Sequence, residues 1–207
     1  MIYIDILGID EAGRGSVLGP MVIAGVIVPE KMEKVLERMG VKDSKKLAPH
    51  RRTILSRKLK KMFEYDIIVI TASEIDEMRA EGINLNEIEK NAMEDLILRL
   101  KPEKAIVDAV DVKAERFQEN LCKDTGFNVI AEHKADDNYI QVSAASIIAK
   151  AERDDQIAEI NEEFIKSGGI GSGYPSDPTT KKFLTNYTYD EMPDFVRLSW
   201  NTVAKMK

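Results

Sequence analysis

Three stretches of Ile- and Val-rich sequence each run into a carboxylate: "ILGIDE" into Asp10 and Glu11, "KAIVD" into Asp108, and "FNVIAEHKAD" into Asp136. Short β-branched runs bounded by Gly, Pro or Asn read as strands, and the segments between them have helical composition, so an α/β fold with a mixed sheet is expected. In an open α/β sheet, ligands gather at strand ends, where loops diverge and leave a crevice. The competing reading is that each acid only caps the helix that follows. It is strongest for Asp136 and Asp137.

Residues 2–9 and 20–28 read as strands, joined across a glycine loop that makes a hairpin plausible. A helix is expected over 30–39, then a basic loop, "VKDSKKL", then a helix over 49–63 with Pro49 at its first position. "YDIIVITAS" reads as a third strand. Residues 84–100 place Leu85, Ile88, Ala92, Leu96 and Leu100 at helical spacing, with Asn84 or Asn86 as cap and Pro102 past the end. Strand "KAIVDAV", helix "KAERFQENLCKDTG" closed by Gly126, strand "FNVIAEHK" and a long helix over 139–165 follow. "SGGIGSGYPSDP" is too rich in Gly, Ser and Pro for a regular element. Beyond it, "TTKKFLTNY" and "DEMPDFVRLSWNTVAKM" read as short helices, giving a main domain over 1–166 and a loop with a helical appendage over 167–207.

Several carboxylates brought together repel by about 4 kcal/mol per pair at about 4 Å, for an effective dielectric near about 20. A fold keeps such a cluster only with compensation. Two histidines and one cysteine make a dedicated zinc site improbable, whereas an all-oxygen site favours Mg²⁺ or Mn²⁺. Two such ions about 4 Å apart can activate water and stabilise the leaving oxygen of an in-line phosphoryl displacement. That chemistry needs neither a histidine base nor a covalent nucleophile, and His133 is assigned a structural role.

The net charge of −6 argues against indiscriminate binding to nucleic acid. Residues 42–61 nevertheless hold nine Lys or Arg against one Asp, a run that reads as a solvated helix face unless catalytic groups lie beside it. No apolar run approaches the roughly 18 residues that cross a bilayer, the N-terminus lacks a signal-peptide pattern, and Cys122 alone forms no internal disulfide. A cytoplasmic protein without membrane contact is expected. Trp200 reads as a packing anchor.

In order along the chain, "GIDEAGRG", "VKDSKKL", "AIVDA", "AEHKADDNYIQVSAASIIAKAERD", "GSGYPSDP" and "VRLSWNT" resemble type 2 ribonuclease H, most closely the archaeal ribonucleases HII. The resemblance implies an RNase H-like fold: a five-stranded mixed sheet flanked by helices, plus a small helical C-terminal region. It also implies endonucleolytic cleavage of the RNA strand of RNA/DNA hybrids and nicking 5′ of single ribonucleotides in duplex DNA, with 3′-hydroxyl and 5′-phosphate ends. Asp10, Glu11, Asp108 and Asp136 match the family's metal-binding acids, for a two-metal mechanism with Mg²⁺ or Mn²⁺. Gly13, Arg14 and Gly15 match the loop that reads the ribose 2′-hydroxyl, the group that tells RNA from DNA. Tyr174 matches the tyrosine that packs on the following deoxyribose, and Lys45 and Lys46 stand where the family contacts substrate backbone.

Ser146 and Lys150 lie four apart on the long helix, so one face can present both towards a phosphate, or form a pair near the core. A monomer is expected, and "NTVAKMK" shows none of the hydrophobic tail motif by which some archaeal relatives bind a sliding clamp. The alternative from another class, an actin-like or sugar-kinase phosphotransferase sharing this sheet, needs a second domain of similar size. A catalytically silent nucleic-acid binder would leave the strand-end acids unexplained.

Overall fold

The computed structural model describes residues 4–207, with backbone only for Asp43 and Ser44. Two adjacent runs supply its centre: β1 (Asp5–Ala12) and β2 (Met21–Pro29) are buried along nearly their whole length, as their continuous Ile and Val content requires. With β3 (Tyr65–Ile70), β4 (Lys104–Asp108) and β5 (Val129–Glu132) they form a mixed five-stranded sheet in the order β3-β2-β1-β4-β5. Strands β1, β4 and β5 run parallel, with Ile9 opposite Val107 and Asp108 opposite Glu132. Because β1 is central and parallel to β4, their C-terminal ends meet in the middle of one sheet edge.

Helices α1 (Glu33–Met39), α2 (Pro49–Met62), α3 (Ala72–Ala80), α4 (Leu85–Leu100), α5 (Ala114–Thr125), α6 (Ala135–Asn138), α7 (Ile140–Glu162), α8 (Pro178–Leu184) and α9 (Asn201–Ala204) complete the regular structure, with short 3₁₀ turns that include Val41–Lys46. Pro49 begins α2 and Gly126 closes α5 with a left-handed φ of +75°, as composition predicted. Helix α3 is an element the sequence reading did not foresee. A reciprocal capping box between Thr71 and Glu74 starts it immediately after β3.

The chain divides into two compact units. The first gathers the described residues up to Ala12 with residues 23–68 and 86–151, and the second holds residues 13–22, 69–85 and 152–207. In the first unit, Gly8 lets the backbones of β1 and α7 touch: a Cβ at Gly8 would stand 2.2 Å from the Gln141 carbonyl carbon. Ile6, Ile106, Ala135 and Val142 pack beside that contact. Lys134, at φ 57°, turns the chain from β5 into α6.

In the second unit, Val17, Leu18, Ile157, Ile170, Phe183 and Val196 form a core on which Phe164, Phe183 and Phe195 pack edge to face or tilted. The short helices expected in "DEMPDFVRLSWNTVAKM" are confined to its two ends. Only a 3₁₀ turn at Tyr189–Glu191 and α9 are helical. Pro193 interrupts the run, and the backbone beyond it pairs instead with the loop after β1: Leu18 bridges Val196, and Arg197 N–H donates to the Val17 carbonyl at 2.9 Å. Among the described residues, no helix is long and apolar enough to cross a membrane.

Candidate active site

Asp10 and Glu11 occupy the end of β1, and Asp108 is the last residue of β4. The parallel register sets these ends side by side, and one carboxylate oxygen from each of the three lies within 4.8 Å of the others. Asp10 is buried, and Glu11 and Asp108 are half-buried. Glu11 N–H donates to Asp10 Oδ1 at 2.8 Å, and Ala135 N–H, at the start of α6, donates to Asp108 Oδ1 at 3.0 Å.

Burial first, and then the charge of Glu11 beside it, pushes the Asp10 carboxyl well above the usual carboxylate range. The Ser146 hydroxyl and the Lys150 charge pull the other way, and Lys150 Nζ donates to Ser146 Oγ at 2.7 Å. The pair on one face of α7 is therefore aimed at Asp10, as a relay of ammonium, hydroxyl and carboxylate. Burial also raises Asp108, partly offset by the Ala135 N–H. The buried Glu11 Oε2 has no hydrogen-bond partner. Clustered, desolvated, oxygen-only donors with one orphaned oxygen fit a hard divalent cation.

Asp136 directly follows Ala135, is buried in α6, and stands outside the group of three converging oxygens. Lys45 meets its Oδ1 at 3.2 Å and Asp137 Oδ1 at 2.7 Å. The hydrogen bond from Lys45 holds Asp137 below its ordinary value. Lys45 thus emerges from the basic run already engaged with carboxylates, and Lys46 is exposed beside it on the 3₁₀ turn. His133 is exposed and its Nε2 lies 3.3 Å from the Val112 carbonyl oxygen, which agrees with a structural role.

The remaining candidates belong to the second unit. Gly13 adopts φ +84°, and a Cβ there would stand 2.6 Å from Arg153 Nε and 2.7 Å from the Pro20 carbonyl oxygen. At Gly15 a Cβ would meet nothing within 4 Å, so that position is open to an approaching molecule. Val17 N–H donates to the Gly173 carbonyl at 2.7 Å, which ties the Gly-Arg-Gly loop to the loop of Tyr174. The half-exposed Tyr174 ring lies over the Arg153 guanidinium, 4.8 Å from centroid to carbon.

Two arginines the sequence reading did not single out hold these loops. Arg153 Nη2 donates to the Ser172 carbonyl at 2.9 Å; Arg197, fully buried, donates from Nε to Gly19 O at 3.1 Å and from Nη1 to Arg14 O at 3.0 Å. Burial, with the charge of Arg153 adding to it, pulls the Arg197 guanidinium down to about 9. Arg153 Nε and Arg197 Nη2 are buried without a hydrogen-bond partner. No spacing rule marks either residue, because their partners are main-chain carbonyls.

Comparison with known proteins shows the family. The family model described as Ribonuclease HII matches residues 7–203. A ribonuclease HII of Methanobrevibacter smithii is 79% identical over 203 residues, covering 98% of both chains. Among solved structures, the PCNA:RNase HII complex from Archaeoglobus fulgidus matches with a TM-score of 0.88 at 44% identity, covering 95% of both chains. Ribonuclease H2 from Pyrococcus horikoshii OT3 matches with a TM-score of 0.87 at 42% identity, covering 98% of this chain and 96% of that one. Strand-end acids, glycine loop and family match converge on one conclusion: the chain belongs to the ribonuclease HII family, endoribonucleases that act on RNA/DNA hybrids and on embedded ribonucleotides.

Proposed function

We propose that the chain hydrolyses the phosphodiester on the 5′ side of a ribonucleotide, in hybrids and at single ribonucleotides within duplex DNA, leaving a 3′-hydroxyl and a 5′-phosphate. The observation that carries this reading is the convergence of Asp10, Glu11 and Asp108 oxygens within 4.8 Å, with Glu11 Oε2 unpartnered. Asp10, Glu11 and Asp108, joined by Asp136, are the residues that would hold two divalent ions, Mg²⁺ or Mn²⁺. When bound, such ions lower the pKa of water and neutralise charge on the leaving oxygen.

The protein's own part is to fix and desolvate the carboxylates. Asp10, the most deeply buried of the converging three, would be the central ligand of any ions held there. Ser146 and Lys150 favour its ionised form and set its orientation, and Ala135 N–H does the same for Asp108. Lys45 offsets part of the charge of Asp136 and Asp137, and with Lys46 it would contact substrate backbone.

Gly13, Arg14 and Gly15 read the ribose 2′-hydroxyl; the left-handed Gly13 and the open face of Gly15 support a close main-chain approach to a sugar. Tyr174, steadied by Arg153, packs on the following deoxyribose. In this reading catalysis falls to residues 1–166, and residues 167–207 add a substrate-contacting loop and appendage. A sliding clamp is the protein partner it adds, by likeness to the Archaeoglobus complex.

The test is incubation with duplex DNA bearing one ribonucleotide. A nick on its 5′ side in Mg²⁺, absent in EDTA, is expected. An intact strand in Mg²⁺ overturns the reading.

A further inference from the structure

Within the second unit, a cavity of about 300 Å³ is lined by Arg14, Gly15, Arg79, Leu85, Ser199, Trp200 and Asn201. Its charged lining is two guanidiniums, with no carboxylate. Arg79, exposed near the end of α3, holds its guanidinium carbon 5.4 Å from the Trp200 ring centroid, and that of Arg197 lies 4.7 Å from the same centroid. A ring so engaged orients cations. Ser199 Oγ is buried without a hydrogen-bond partner. The neighbouring acid, Asp76, does not line the cavity and accepts from the main-chain N–H of Leu198 at 2.6 Å and of Ser199 at 3.0 Å, so its charge is already directed at the backbone. Beside Leu85 and the Trp200 ring, the polar part of the lining, guanidinium forks, a spare hydroxyl and an amide, offers mainly donors, the complement of a phosphate.

We propose that this cavity binds a phosphodiester of the nucleic-acid substrate, with Arg79 as its anchor. The proposal rests on the functional reading above for the nature of the ligand: Arg14 and Gly15, which that reading gives to the ribonucleotide, form one wall. It extends recognition to α3 and to the turn into α9. Arg79 touches neither the carboxylates nor the ribose in that reading, so it adds affinity for backbone of any sequence.

The chain has one tryptophan, so Trp200 emission reports directly on the cavity. Fluorescence and anisotropy titrations with duplex DNA bearing one ribonucleotide, run in EDTA over a salt series, compare the wild type with Arg79→Ala, Arg79→Lys and, as control, Arg116→Ala, whose guanidinium pairs with Asp111 on the first unit. Binding is expected to change Trp200 emission in the wild type. Arg79→Ala is expected to lose about tenfold in affinity near 0.1 M salt and about one unit of the log–log salt slope, with Arg79→Lys between them and Arg116→Ala unchanged. Equal affinity and slope for Arg79→Ala and wild type overturn the proposal. So does a Trp200 response to submillimolar inorganic phosphate but not to the duplex, which identifies a free-phosphate site. A wild type that nicks in Mg²⁺ while Arg79→Ala binds normally sinks the subsite alone, whereas a wild type that fails to nick sinks the functional reading.

Discussion

Asp10 and Arg197 are both sealed from solvent, at 4% and 0% exposure, and each has a like charge close by, Glu11 in one case and Arg153 in the other. Their surroundings differ. Arg197 spreads one charge over a planar group with many donors; loop carbonyls at Gly19 and Arg14 accept from two of its nitrogens and have their path fixed by it, while Nη2 stays unpartnered and burial pulls the guanidinium down to about 9. A carboxylate is compact and accepts only. Next to other carboxylates, the one N–H and one hydroxyl that reach Asp10 leave its charge short of compensation. The arginine is answered in part by fixed loop carbonyls, whereas the acids face one another, an arrangement that suits a divalent cation.

Asp10→Asn tests the acid side and carries the largest expected effect: a loss in turnover of about 10³-fold or more, since it removes a charge at the reacting centre. The same variant should melt higher than wild type in EDTA and show little of the wild type's Mg²⁺-induced rise in Tm. The sign follows from the raised pKa of Asp10. Its ionisation penalises the folded state increasingly as pH climbs from the unfolded value, about 3.9, through the folded one, so the EDTA advantage of Asn should shrink towards pH 4. A Mg²⁺ shift preserved in Asp10→Asn would remove Asp10 from the metal site.

Arg197→Ala tests the other side, and a loss of about 3 kcal/mol in urea denaturation is expected, from a cavity plus stranded carbonyls. A loss below about 1 kcal/mol would show that the buried guanidinium does not hold the loops. Gly13→Ala and Gly15→Ala separate shape from access. The first should cost about 1–2 kcal/mol, because φ is +84° and Arg153 is in the way. Gly15→Ala should leave stability unchanged and weaken cleavage at an embedded ribonucleotide; unchanged cleavage would detach Gly15 from the sugar.

The smallest effect concerns Asp177, held at about 2 by hydrogen bonds from Ser172 first and then Thr179. Asp177→Ala should cost about 1 kcal/mol of stability near neutral pH, as loss of an N-cap. Because the folded pKa is depressed, that difference should fade as pH drops from about 4 towards 2. A pH-independent difference would assign the loss to packing.

The acid side was legible in the sequence because strands announce themselves by continuous Ile and Val, and parallel register then aligns their ends without further information. Ser146 and Lys150 were legible as a pair, since α7 sets positions four apart on one face, but their direction was not: only the packing of α7 on β1 turns them to Asp10. Helix α3 carried a readable cap in Thr71 and Glu74 that lay hidden behind the strand pattern before it. The arginines were illegible. Arg153 and Arg197 sit singly among helical or turn residues, where arginine is ordinarily solvated, and a bond to a carbonyl oxygen leaves no mark on the identity of the residue that supplies it.

Gly8 bears on how such a centre can change over generations. Main chain rests on main chain where β1 crosses α7, so the spacing between the strand of Asp10 and the helix of Ser146 is set by atoms common to every amino acid. At Gly8, two positions before Asp10, the smallest available change, a single methyl group, already forces the two backbones apart.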